Sequence, residues 1–155
     1  MIKKLQNNKI EISNQIHSVF QVSYAVEAKL LNATNFPPLK RPIESYQKSD
    51  NSFFGYFEDE ELAGVIEIAS NSIHTDINSL VVNPKFFRRG IAKQLLEFIF
   101  YKFDSRLFIV ETGADNMPAI ELYKKHGFKE VKQWDTAFGI RKVAFEKYNN
   151  KIETV

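Results

Sequence analysis

Two stretches of the chain combine residue types that suit chemistry on a phosphate-bearing ligand. In Leu80-Val81-Val82-Asn83-Pro84-Lys85-Phe86-Phe87-Arg88-Arg89-Gly90-Ile91-Ala92 an apolar run stops at a proline, a short basic loop follows, and a glycine opens an amphipathic segment. A helix starting there presents unpaired N–H groups and the positive end of its dipole, which together attract phosphate oxygens. Gly90 and the small Ala92 let such a group approach the backbone closely, and Arg88 and Arg89 add charge. A solvated basic loop before a surface helix is the competing interpretation. The stretch is neither a Gly-Lys-Ser/Thr phosphate loop nor a Gly-x-Gly-x-x-Gly fingerprint, because the required residues are missing. In the second stretch Asn116 and Tyr123 stand seven residues apart, which on a helix places them on nearly one face about two turns, or roughly 10 Å, apart. One ligand lying along that face reaches both. A phenol with a pKa of about 10 is protonated at neutral pH and can donate to a leaving group. The structural alternatives are a helix cap for Asn116 and a core-edge aromatic for Tyr123.

Two carboxylates are candidates for accepting a proton. Glu67 interrupts the apolar run Val65-Ile66-Glu67-Ile68, and Glu111 follows the apolar Leu107-Phe108-Ile109-Val110. Against these stand an outward-facing strand residue for Glu67 and, for Glu111, a carboxylate that bonds backbone groups. Other chemistries are excluded by composition. With no cysteine there is no disulfide, thiolate zinc site or cysteine nucleophile, and the three histidines, His17, His74 and His126, form no ligand-like pair. Lys and Arg total 21 against 19 Asp and Glu, a net of +2, which argues against nucleic acid as a partner. No uncharged stretch reaches the roughly 18 to 20 residues of a membrane-spanning helix, and no signal peptide is visible. The expectation is a cytoplasmic protein with no membrane partner and no metal.

The elements that must position these residues follow from periodicity. The length of 155 residues fits one domain over 1–155, and 44% hydrophobic residues suffice for a core. The 14 phenylalanines and six tyrosines exceed what the core of a small domain ordinarily requires. Ile12, Ile16, Val19, Phe20, Val26 and Leu30 recur mostly at three- and four-residue spacing, which predicts a helix over about 11–33. The prolines of 35–42 stop it, and a short helix to about 47 follows. Aromatic and β-branched runs at 53–57, 62–69 and 73–82 predict three antiparallel strands. A helix over 90–101, a strand over 107–110 buried on both faces, a helix over 116–126 ended by Gly127, and strands near 128–134 and 140–145 complete an α+β mixed sheet with packed helices.

The order and spacing of the two chemical stretches resemble the GNAT superfamily of acyl-CoA-dependent N-acetyltransferases. The resemblance covers about 53–145 and is specific in Val82-Asn83-Pro84 through Ala92 and in Asn116-x-Pro118-Ala119-x-x-Leu122-Tyr123-x-x-x-Gly127-Phe128. It implies a mostly antiparallel sheet splayed between strands 4 and 5, with helices on both faces. It also implies transfer from acetyl-CoA to a primary amine of a small molecule or peptide by direct attack in a ternary complex. By resemblance Leu80, Val81 and Val82 hold the pantetheine arm. Arg88, Arg89, Gly90, Ile91 and Ala92 hold the pyrophosphate, Asn116 contacts the pantetheine or phosphate end, and Tyr123 is the general acid for the thiolate. Glu67 or Glu111 is the base. Phe87 stands where the family usually has Gln or Arg, so any side-chain contact from that position is lost while backbone contacts survive. The family's acceptor sites imply Tyr24, Glu27, Phe36 and Trp134 as substrate contacts, with Arg41, Asp135 and Phe138 nearby. A homodimer is common in the family. The alternative is a noncatalytic acyl-CoA sensor or partner-binding module with the same fold.

Overall fold

Apolar spacing of three and four residues produces helix α1 (Ile10–Leu30), which buries Ile16, Val19 and Phe20. The computed structural model describes residues 1–149. After α1 the chain turns through Asn32 at φ 51°, and Pro37–Lys40 forms a single 3-10 turn before the short helix α2 (Ile43–Gln47). Strand β1 (Ile2–Lys4) is too short to leave a periodic signal and was not expected; it pairs antiparallel with β2 (Ser52–Glu58). Strands β2, β3 (Glu61–Ser70) and β4 (His74–Val82) then form the expected antiparallel meander. Helix α3 (Ile91–Lys102), strand β5 (Leu107–Gly113), helix α4 (Met117–Lys125), and strands β6 (Lys129–Asp135) and β7 (Arg141–Tyr148) follow.

The seven strands form one sheet in the order β1-β2-β3-β4-β5-β7-β6, in which only β4 and β5 run parallel. Helices cover both faces. On one, Leu95, Leu96 and Ile99 of α3 and Ile120 and Tyr123 of α4 pack over Phe54, Ile66, Phe108 and Phe145; on the other, Ile16 and Phe20 of α1 and Tyr46 of α2 pack over Phe53, Val65 and Val81. Much of the aromatic excess goes into these cores as tilted and edge-on pairs, such as Phe20–Tyr46 at 4.9 Å and Phe100–Phe108 at 5.1 Å. Strand β5 departs from the expectation of burial on both faces. Phe108, Val110 and Thr112 are buried, whereas Leu107 and Ile109 are partly exposed and Glu111 is exposed. The reason is that the second face of β5, with Ile109 and Glu111, borders an open polar cavity.

The sheet parts in its middle. Strands β4 and β5 are in register only from His74 opposite Leu107 to Ile77 opposite Val110, after which they continue unpaired to Val82 and Gly113. The parting coincides with a bulge, since Glu67 faces Ser79 and Ile68 faces Ile77, leaving Asn78 as the extra residue of β4. Bulges bend strands and end pairing.

Candidate active site

The two walls of the gap carry peptide groups that no neighbouring strand pairs. Asn83 N–H donates to the Ala63 carbonyl at 2.8 Å, and alternation along an antiparallel ladder then turns the peptide groups of Val81 and Ser79 toward β3. Those of Leu80 and Val82 face the gap. Val82 N–H donates to Ser23 Oγ on α1 at 3.3 Å. Across the gap, Ala114 N–H donates to the Arg141 carbonyl at 2.8 Å, so Thr112 and Val110 face β7 while Glu111 and Gly113 face β4. Of the three residues expected along a ligand arm, Leu80 and Val82 therefore present backbone to the gap. Val81 bonds β3 and buries its side chain under α1. An amide-bearing chain can enter such a gap as a partial strand.

At the far end of β4 lies the basic loop. Arg88 at φ 66° and Gly90 at φ 72° both adopt the left-handed conformation. Gly90 precedes α3 without a side-chain cap, leaving the first-turn N–H groups of Ile91 and Ala92 without a partner inside the helix. A Cβ at Gly90 would meet nothing within 4 Å, so the space beside this backbone is open. Arg88 has no partner among the described residues, while Arg89 lies 3.9 Å from Glu58 and its guanidinium 5.3 Å from the Phe86 ring centre. Phe87 is 45% exposed.

Where the gap meets α1 and α4 it widens into a cavity of about 500 Å³, lined by Tyr24, Glu27, Phe36, Leu80, Asn116 and Tyr123 among others. Sites separated by up to a hundred residues are thus brought together. Trp134 stays outside this lining, because it lies on the edge strand β6, where Lys132 Nζ sits 5.1 Å over its ring. The turn after β6 instead contributes Thr136, Phe138 and Ile140. Asn116 takes the expected place of the α4 cap and also bonds across the gap. Its Oδ1 accepts from Ala119 N–H at 3.4 Å as the α4 cap, and its Nδ2 donates to Glu27 Oε1 at 3.2 Å and Thr112 Oγ1 at 3.3 Å. Burial, and then the Glu27 charge, push the Tyr123 phenol well above its ordinary pKa, so it holds its proton. Burial likewise raises the Tyr24 phenol. Glu27 is also raised by burial, against the pull of its hydrogen bonds from Asn116 and Thr112 and the nearby charge of Lys142.

The two carboxylates singled out by sequence are both engaged. Glu67 is only 1% exposed and accepts four hydrogen bonds: Arg41 Nη1 at 2.7 Å, Arg41 Nη2 at 3.0 Å, Asn51 Nδ2 at 2.9 Å and Ser79 Oγ at 3.0 Å. Burial alone would raise its pKa, but the bonds from Arg41, Asn51 and Ser79 outweigh it and hold the carboxyl below its usual range. Arg41 in turn lies 4.1 Å over the Tyr46 ring and donates to Ser45 Oγ at 2.9 Å. Glu111 is exposed and accepts from Lys142 Nζ at 2.6 Å. Ser23, Ser79, Thr112 and Lys142 escape sequence reasoning, since each is an unremarkable polar residue whose partner lies far away in the chain.

A fold with one parallel strand pair parting over an aromatic and carboxylate cavity defines the class of acyl-transferring domains to which the sequence motifs pointed. The model of the Acetyltransferase (GNAT) family matches residues 18–128, and the chain belongs to that family. It is 32% identical over 121 residues to the streptothricin acetyltransferase of Escherichia coli, covering 73% of this chain and 68% of the relative. It is also 31% identical over 157 residues to the UPF0157 protein YqkA of Bacillus subtilis, covering all of this chain. The chain spans just under half, 46%, of the length of YqkA. The same fold occurs in the PaiA N-acetyltransferase of Thermoplasma acidophilum, solved in complex with coenzyme A, at a TM-score of 0.73 and 23% identity over 96% of this chain and 98% of that one.

Proposed function

We propose that this protein is an acetyl-CoA-dependent N-acetyltransferase that moves the acetyl group to a primary amine of a small molecule or peptide by direct attack in a ternary complex. The observation that carries this reading is the gap between β4 and β5, with peptide groups along its walls that no neighbouring strand pairs, the open basic loop at one end and the protonated Tyr123 at the other. Coenzyme A suits these residues. The Leu80 peptide groups and the Val82 carbonyl would hold the pantetheine amides, the loop from Arg88 to Ala92 would hold the pyrophosphate, and Asn116 would lie beside the arm. Acetyl-CoA supplies an acyl group already activated as a thioester. Peptide N–H groups of β4 that face the gap stabilise charge on the carbonyl oxygen, and the Tyr123 hydroxyl gives its proton to the departing thiolate. No enzyme nucleophile is required, in keeping with a sequence that has no cysteine. Tyr24 and Phe36 supply the aromatic wall for the acceptor.

The test is thiol release from acetyl-CoA over polyamines, amino acids, aminoglycosides, peptides and streptothricin, the last chosen from the name of the E. coli relative. Turnover with at least one amine is expected, and Tyr123→Phe should lower kcat by about 100-fold with acetyl-CoA affinity retained. Binding of acetyl-CoA without turnover across the panel would instead favour the noncatalytic sensor. Full activity in Tyr123→Phe would remove that phenol from the mechanism.

A further inference from the structure

Few ionisable groups line the cavity, and all but one are matched or hold their protons. Arg41 is held by Glu67 and Glu111 by Lys142, while Tyr24 and Tyr123 stay protonated. Glu27 differs. Both of its hydrogen bonds, from Thr112 Oγ1 at 3.4 Å and Asn116 Nδ2 at 3.2 Å, go to Oε1. Among the described residues neither of these bonds engages Oε2, and Glu27 lines the cavity.

We propose that Glu27 is the general base, its Oε2 taking the proton from the acceptor ammonium. The inference rests on the acetyltransferase reading above. A base works best when it is ionised at the operating pH yet binds a proton readily. The surroundings of Glu27 set that balance. Burial raises its pKa, with Tyr24 on its own helix and Tyr123 on α4 packed close, while Asn116, Thr112 and the cation Lys142 of β7 favour the ionised form. Glu111 of β5, which lines the same cavity, is paired to Lys142. Glu67 lacks this poise, because four donors already occupy its two oxygens.

The proton count closes. In going from ammonium to amide the acceptor nitrogen sheds two protons as it forms the N–C bond and the C–S bond breaks. Glu27 takes the first and releases it to solvent after each turnover. The second replaces the proton that Tyr123 gives to sulfur, so the products are the amide, free coenzyme A thiol and one proton.

Glu27→Gln tests this well, since the amide oxygen can still accept from Thr112 and Asn116. With the best amine of the panel, the variant should melt no lower than wild type and keep its acetyl-CoA affinity but lose about 100-fold in kcat. Its rate should lose the acidic limb of the wild-type pH profile and rise only with deprotonation of the free amine. A raised KM with kcat intact would make Glu27 an ammonium anchor and overturn the proposal. Carbon-13 carboxyl titration, with the Glu27 signal assigned by its loss in the variant, provides a readout apart from turnover. A midpoint above the ordinary glutamate range is expected, and one at or below it would also overturn the assignment. If wild type acetylates an amine and Glu27→Gln does so equally well, the base assignment fails alone; if wild type acetylates none, the acetyltransferase reading fails and this assignment with it.

Discussion

Glu67 and Glu27 are carboxylates on facing elements whose environments push them in opposite directions. Removing the charge of Glu67 leaves the bidentate guanidinium of Arg41 without its partner in a mostly buried place. Breaking such a pair typically costs about 3 kcal/mol, which for a domain of this size lowers Tm by roughly 10 °C. Because the folded-state pKa of Glu67 is depressed, its stabilisation is complete above the unfolded value, near 4.5, and is lost as pH falls through the lower folded value. Thermal melts of Glu67→Gln should therefore show a large deficit at pH 7 that shrinks below about pH 4.5. A deficit independent of pH would refute the electrostatic account. Glu27 has the opposite sign, because a raised pKa means that its ionisation costs stability at neutral pH. At this scale the sequence showed the spacing of Asn116 and Tyr123, which do share a cavity wall. It did not show the Arg41–Glu67 pair. Those residues are 26 positions apart, and their meeting depends on the path of the proline-rich segment after α1.

Among the elements, β4 does two jobs with alternate residues. Val81 bonds β3 through its backbone and anchors its side chain beneath α1, while Leu80 turns its peptide groups into the gap. Amide hydrogen exchange should separate the two. The Val81 amide should be protected with or without ligand, whereas the Leu80 amide should exchange quickly in the free protein and slow on addition of coenzyme A. Equal protection of Leu80 in both states would place the pantetheine arm elsewhere. The change of hydrophobic period from two to 3.6 made α3 and α4 legible within a residue or two. Strand β5 was less legible, because an unbroken apolar run looks the same whether its second face meets a helix or, as here, an open cavity. Strand β1 has only three residues and left no pattern to detect.

Over the whole molecule the gap divides the sheet into a half of β1 to β4 and a half of β5, β7 and β6, joined by four residue pairs. Helix α1 spans the opening. Ser23 bonds Val82 on one side, Glu27 bonds Thr112 and Asn116 on the other, and Leu31 packs so closely on Gly113 that a Cβ there would collide with it. Periodicity foretold an α+β mixed sheet with packed helices, and the motif resemblance foretold the splay. Neither encodes the bridging by α1, since it arises from tertiary contacts between single residues. A ligand arm lying in the gap adds contacts to both halves that an adenine nucleotide at the basic loop does not. Coenzyme A at a hundred times its Kd should stabilise the fold by about 2.7 kcal/mol, or roughly 8 °C in Tm. On the proposed placement, adenosine 3′,5′-bisphosphate at the same concentration would reach the loop without entering the gap, so its shift should be much smaller. Equal shifts from the two compounds in a thermal melt would show that the gap adds nothing to affinity, and would remove the β4–β5 opening from the coenzyme site.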